Sequence, residues 1–363
     1  AFAFTTGNAV NNMTFYKQTV RNRSTLTISD TYIGQWVDPD LGFFQDDYVG
    51  CDTVRGLGIC YNGDPNDDLP TGYGLCPPAV GVDFFQGPFA DESDSLDNDD
   101  DGLVDEGNDG LDNDNDGVVD EEDERERIGM AKFIYYNNDF SIRGNPTQPN
   151  HFYGYLTGFW KNGSPVIDDR EFNGNGFPDG GEGSAEPTDY MFPDYPGDGC
   201  RTNLSYAPAN PKWDERTSGN FPADRRFIQS AGPFTLRPGA VNEIITGAVW
   251  ARDNCSLDND QLGSVCKLLS ADDVAQALFD ANFELLAGPD NPDVAAVELD
   301  KELILKWDYS QLGPTSNNFY ENYAQADPVL LNEADVEDPV FEFEGYIIYQ
   351  LIDGSVSASE LND

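Results

Sequence analysis

Residues 224–251, DRRFIQSAGPFTLRPGAVNEIITGAVWA, hold two runs rich in β-branched and aromatic residues, separated by RPGAVN. Such runs favour extended backbone, and a Pro-Gly pair between them marks a turn. The stretch therefore predicts two strands joined as a hairpin. Working outward, further strand-like runs stand at 13–22 (MTFYKQTVRN), 25–36 (TLTISDTYIGQW), 130–140 (MAKFIYYNNDF) and 151–160 (HFYGYLTGFW). Between them lie long stretches of Gly, Pro, Asn and Asp, with NGNGFPDGGEG the most flexible in composition. The fold class this implies is mainly β: an antiparallel β-sandwich body with long loops.

One helix stands out. Ser270 is placed as an N-cap, Asp272 and Asp273 fall in the first turn, and VAQALFDANFELL (274–286) carries apolar residues at helical spacing. AGPDNPDV (287–294) has the composition of a linker, so the body is bounded at 1–290 and a second region occupies 291–363. That region opens with two strands in VAAVELDKELILKWDYS (294–310), with Leu303, Leu305 and Trp307 on one face.

The chain has 363 residues, 67 acids against 20 Lys and Arg, and a net charge of −47. Nucleic acid and anionic membranes are poor partners for such a surface. No apolar run reaches the roughly 18 residues a membrane helix needs. Divalent cations, or a saline habitat that screens self-repulsion, fit the charge better.

The acidity peaks at 91–123, which holds 13 Asp, 4 Glu and no Lys or Arg. This segment contains a repeat: LDNDDDGLVDE and LDNDNDGVVDE match at nine of eleven positions, 15 residues apart. Each copy reads D-x-D-x-D-G-x-x-D. Alternate carboxylates on a tight, glycine-turned loop can converge on a calcium ion, which takes 6–8 oxygens at about 2.3–2.6 Å. One ion is assigned Asp97, Asp99, Asp101, Asp105 and Asn108 or Asp109; a second is assigned Asp112, Asp114, Asp116, Asp120 and Asp123. DPDLGFFQDDYVGCD (38–52) is a further candidate, with Asp38, Asp40, Asp46, Asp47 and Asp52 close in sequence. An ordinary Asp-rich turn competes with that reading. NGDPNDD (62–68) reads as a solvated loop.

The six cysteines, Cys51, Cys60, Cys76, Cys200, Cys255 and Cys266, include no C-x-x-C pair. They are read as three disulfides of an oxidising, extracytoplasmic compartment, with Cys51/Cys60 and Cys255/Cys266 as close pairs and Cys76–Cys200 left over. Fifteen pairings are open in principle.

Catalysis finds little support. His151 is the one histidine, set in an aromatic run, and there is no H-E-x-x-H, G-x-S-x-G or phosphate-binding glycine loop. No spacing singles out a glycosidase carboxylate pair. Asp224-Arg225-Arg226 reads as a salt-bridge corner. Trp36, Trp160, Trp213 and Trp250 could stack on sugars, although core packing suits most of them better.

Three resemblances add to this reading. The acidic repeat is similar to the calcium-wrapped repeats of thrombospondin type 3 domains, without their cysteines. The strand ending in Trp307, followed later by GYIIY (345–349), is similar to the first half of a fibronectin type III sandwich. Finally, DTYIGQWVDPDLGFFQDDYVGCD, YNGD, PPAVGVDFFQGP, DRRFIQSAGPFTLRPGAVNEI and AQALFDANFELLAGPDNPDV together resemble large secreted proteins of Bacteroidota and related phyla. That family's members carry fibronectin-like modules and a sorting domain for type IX secretion. The resemblance implies an extracellular or surface-attached product. The expected function is a calcium-stabilised structural or adhesive surface protein, such as a filament or surface-layer subunit, that is not an enzyme. It would meet other copies or surface proteins through exposed strand edges. The competing expectation is a carbohydrate-binding or accessory region of a larger secreted hydrolase, with glycans as partners.

Overall fold

The structure is a computed structural model. It describes residues 1–4, 9–68, 70–91, 95–97, 104, 125–171, 174–178, 186–194, 212–254, 262–280, 293–308, 324–326, 340–342 and 345. The chain divides into two compact units, Ala1–Gln276 and Ala277–Asp363.

In the first unit the chain runs through β1 (Met13–Arg21), β2 (Ile28–Val37), β3 (Asp47–Asp52), β4 (Leu57–Asn62), β5 (Asn66–Asp67), β6 (Gly74–Leu75), β7 (Ala79–Gln86) and β8 (Lys132–Asn137). It continues through α1 (Pro149–Leu156), β9 (Arg225–Leu236), β10 (Val241–Ala251) and α2 (Leu262–Asp280), which runs past the division into the second unit. A five-stranded sheet has the order β1-β10-β7-β4-β3, and a three-stranded sheet the order β2-β9-β8. All their pairings are antiparallel. One apolar cluster joins the sheets: Val49, Cys60 and Ile244 of the first pack with Phe133, Phe227 and Phe234 of the second. The mainly β, sandwich-like fold expected from the sequence is thus present.

The stretch 224–251 forms both expected strands, but they are not a hairpin. β9 pairs with β2 and β8, whereas β10 pairs with β1 and β7. The 237–240 turn, with Gly239 at φ +85°, carries the chain from one sheet to the other. The local pattern specifies strand and turn; which neighbour a strand pairs with is a tertiary outcome.

Five strands were hidden inside the loop-like stretch from 38 to 90: β3, β4 and β7 of the five-stranded sheet, and the short pair β5 and β6. β3 and β4 are buried along their whole length. One face looks into the sandwich, and over the other side of this sheet lies α2, with Leu268 near Gly81. Strands covered on both faces lose the alternation that marks a half-buried strand. Gly58 of β4 shows how closely the sheets approach. A Cβ there would lie 2.3 Å from the Gln229 side-chain oxygen and 2.6 Å from the Phe227 ring. Gly58→Val is therefore expected to destabilise by about 1–3 kcal/mol, read as a lower denaturant midpoint at unchanged slope.

Two further expectations are corrected. The run at 151–160 is not a strand: α1 begins with Pro149 at its first turn, whose ring pre-sets helical φ, and buries Tyr155. α2 starts eight residues before Ser270, so Ser270 is not an N-cap; its hydroxyl instead donates to the Cys266 carbonyl (3.3 Å). Asp272 and Asp273 accordingly sit in mid-helix.

Cys51 and Cys60 are free, buried thiols. Their expected disulfide fails on register: Val49 lies opposite Cys60 and Cys51 opposite Gly58. The two are diagonal neighbours, about 7 Å apart, where a disulfide needs Cβ atoms about 3.5–4.5 Å apart. Burial pushes the Cys60 thiol far above its ordinary pKa, which keeps it inert. Cys76 and Cys266 each take part in a disulfide. Cys200 and Cys255 lie outside the described residues.

In the second unit, β11 (Asp293–Leu299) pairs with β12 (Glu302–Asp308) as the two strands expected there, and β13 (Ala324–Ala326) pairs with β14 (Val340–Glu342). The GYIIY segment beyond Gly345 lies outside the described residues.

Candidate metal centre at one end of the sandwich

β2 and β9 are paired up to Val37↔Phe227, so the residues just beyond that pair are brought together. Carboxylate oxygens of Asp38, Asp40 and Asp224 all lie within 4.8 Å of one another. Among the described residues, Arg226 is the one cation ion-paired with this group: its guanidinium is 2.8 Å from Asp38 Oδ2 and 4.0 Å from Asp224 Oδ1. Asn138 donates to Asp224 Oδ2 at 2.8 Å. Asp38 Oδ1 and Asp224 Oδ1 are buried without a hydrogen-bond donor among the described residues. Partial burial, and then the charges of Asp38 and Asp224, raise the Asp40 carboxyl above its ordinary pKa. Three carboxylates against one guanidinium leave an oxygen-only donor set in excess. A hard cation such as calcium fits that set better than a soft metal.

The same loop ends in a second acidic group. Asp47 opens β3 opposite Asn62, the last residue of β4, and both are fully buried. Asp47 Oδ2 accepts from the Leu41 N–H at 3.1 Å. The other Asp47 oxygen, Asn62 Oδ1 and Asp46 Oδ1 have no donor among the described residues. Asp67, also fully buried, clasps the loop by accepting from the N–H groups of Phe43 (2.9 Å) and Tyr73 (2.7 Å). Within 62–68, Asp64, Pro65, Asn66 and Asp68 are exposed, as expected of a solvated loop, whereas Asn62 and Asp67 are buried. Burial, reinforced by neighbouring acids, pushes the carboxyl of Asp46 up to about 6 and that of Asp47 up to about 9. Acceptor oxygens gathered out of water without donors are stabilised by a proton or by a cation.

Asp52 leaves the candidate set. It stands at the far end of β3, where its carboxylate accepts from the Val54 and Arg55 N–H groups and pairs with the Arg55 guanidinium at 2.9 Å. Within the acidic repeat, Asp97 is described and half-buried. Asp99, Asp101, Asp105, Asn108, Asp109, Asp112, Asp114, Asp116, Asp120 and Asp123 lie outside the described residues.

The spacing of that repeat recurs where composition suggested only a flexible loop. In the sequence, Glu171, Asn173, Asn175, Asp179 and Glu182 stand at positions one, three, five, nine and twelve, with Gly176 at the sixth; of these, Asn173, Asp179 and Glu182 lie outside the described residues. Gly176 has φ +70°, the backbone such a turn requires. Two tryptophans hold this loop: Trp160 Nε1 donates to the Gly176 carbonyl (2.8 Å) and Trp213 Nε1 to that of Gly174 (3.0 Å). Register, rather than acid density, was the signal available there.

Beside Asp224 opens a polar cavity of about 550 Å³, walled in part by Asn137, Asn138, Arg143 and Asn220, with the exposed ring of Phe221 at its edge. Arg225, at its floor, pairs with the buried Glu215, so both arginines of the 224–226 corner are in ion pairs. His151 lies on α1, its Nδ1 3.4 Å from Thr147 Oγ1. Trp160 and Trp213 are core residues, whereas Trp36 is exposed on β2.

In comparison with known proteins, no family model matches the chain, and no curated protein or solved structure matches it.

Proposed function

We propose that this chain is an extracellular, calcium-stabilised structural or adhesive surface protein whose loops are set by bound ions. The observation that carries the reading is the convergence of Asp38, Asp40 and Asp224 within 4.8 Å beside carboxylate oxygens that are buried without donors. The acidic repeat at 91–123 adds two loops of matching ligand spacing. A net charge of −47 makes neutralisation by divalent cations favourable on electrostatic grounds. Among the described residues no helix is long and apolar enough to cross a membrane. Contacts would form along the edge strands, of which β2 presents the exposed side chains of Ile28 and Trp36.

Calcium at a hundred times its dissociation constant is expected to stabilise the protein by about 2.7 kcal/mol per site. This is measured as the rise in melting temperature over the chelator-treated protein. Asp38→Asn with Asp224→Asn should remove part of that rise. Identical melts with calcium and with chelator, and no heat on calcium titration, would sink the reading.

The polar cavity favours a second reading, carbohydrate binding. Its asparagine amides and the Phe221 ring at the edge have the chemistry that sugar hydroxyls and sugar faces use. Glycan-array binding lost in Phe221→Ala but kept in Trp36→Ala would place sugars in that cavity; no binding by the parent protein would remove the reading.

A further inference from the structure

The outer face of the five-stranded sheet, under α2, buries two carboxyl groups that the metal centre does not use. Asp83 of β7 is fully buried and Asp272 of α2 is 1% exposed. Among the described residues no hydrogen bond of ordinary geometry reaches either Asp83 oxygen or Asp272 Oδ1, although the Phe84 N–H lies near enough to lower the Asp83 pKa somewhat. The two elements are aligned there. Leu268 of α2 lies against Gly81 of β7, and the carboxyl groups of Asp272 and Asp83, one turn and two residues further on, lie within side-chain hydrogen-bonding reach of each other.

The charged groups around the pair are Asp52 from β3, Arg55 from the β3–β4 turn and Asp273 from α2. Arg55 is committed to the other two acids: it pairs with Asp52 at 2.9 Å and grips both oxygens of Asp273 at 2.7 and 2.9 Å. From the opposite sheet, neutral Gln35 reaches only the Asp83 carbonyl (3.3 Å). Four carboxyls therefore share one guanidinium. Two adjacent ionised carboxylates without donors would repel each other in a medium of low dielectric constant.

We propose that Asp83 and Asp272 share one proton, and that this acid–carboxylate hydrogen bond is a pH-sensitive latch that holds α2 on the sheet. A cation is the weaker occupant of the space. Arg55 stands beside it, and both Asp52 oxygens are already engaged by Arg55 and backbone N–H groups. Burial pushes Asp83 from 3.8 up to about 8, and pushes Asp272 well above the carboxylate range, with the Asp83 charge as the next cause. The sign follows. A carboxyl whose folded pKa is raised stabilises the docked helix most fully below its unfolded value near 3.8. That contribution is lost as pH rises through about 8.

The test compares the full chain with Asp272→Asn and Asp83→Asn at fixed calcium, because Asp46 and Asp47 also titrate. The readouts are hydrogen-exchange protection of residues 262–280, corrected for intrinsic rates, and the infrared band of a protonated carboxyl. In the parent protein, α2 protection should fall by roughly tenfold or more between pH 6 and pH 9, together with loss of the band. Asparagine can donate to the remaining carboxylate without titrating, so either variant should flatten the profile and remain protected at pH 9. A flat profile in the parent, or an equal fall in a folded variant, would overturn the latch. Protection at pH 9 that depends on added calcium would also overturn it, in favour of an ion. Should neither variant fold, the pH profile and infrared band of the parent protein decide alone.

Discussion

Arg225→Ala is expected to destabilise the first unit by about 3–5 kcal/mol, the cost of stripping one partner from a buried ion pair. Arg225 meets Glu215 at 2.5 Å, and neither side chain is more than 5% exposed. The guanidinium also donates to Asn137 Oδ1 (2.8 Å) and the Phe221 carbonyl. Glu215 in turn accepts from the Val49 N–H (2.8 Å), so the pair ties the 213–224 segment to β3 and to β9. Even with arginine beside it, burial raises Glu215 to about 7. The penalty should accordingly be larger at pH 8 than at pH 5. At pH 5 Glu215 takes up a proton and loses less without its partner; at pH 8 a bare carboxylate is left in the interior. Urea denaturation at the two pH values checks this. A loss that is equal or smaller at pH 8 would mean that the two charges are not coupled.

Trp160→Ala is expected to cost about 3–5 kcal/mol as well, through the cavity left by a large side chain that is 1% exposed. Its ring sits edge-on to Tyr155 (5.9 Å) and Phe177 (6.2 Å), and its N–H caps the Gly176 carbonyl. The substitution therefore opens a hole and orphans a backbone acceptor. Trp160→Phe should keep most of the packing and lose the hydrogen bond, giving a loss of about 1–3 kcal/mol. If the two substitutions cost the same, the packing argument fails. Hydrogen exchange should place the added opening at residues 174–178 in both variants.

Much of the architecture was legible because β1, β2, β8, β9 and β10 carry runs rich in β-branched and aromatic residues, bounded by turn residues. β3, β4 and β7 were not, because Asp, Gly and Cys fill positions that are covered on both sides. HFYGYL reads as strand by composition; the proline two residues before it was the better guide to α1. At the metal centre, the acids of the 38–47 loop could be named from density alone. Asp224, which completes the first group, and Asn62, which faces Asp47, come from β-strand register and from no spacing in the chain. The proton-sharing pair was invisible for the same reason. Asp83 looks like one more of the chain's 67 acids until a helix far along the chain lies over it.

The turn at 237–240 has a consequence for how the molecule is made. β9 is the middle strand of one sheet, and β10 joins β1 to β7 in the other. Met13, near the beginning, finds its partner only in Val249. A ribosome or an export channel delivers the chain in order, so β1 emerges with an open edge, and β2 and β8 emerge with no strand to lie between them. Closure must wait for residues 225–251 and should be slow, because most of the pairing is between distant parts of the chain. A nascent chain halted before Arg225 should be digested readily by protease, and one halted beyond Ala251 should resist it. The sandwich is therefore completed late and in one step, wherever the cell releases the chain.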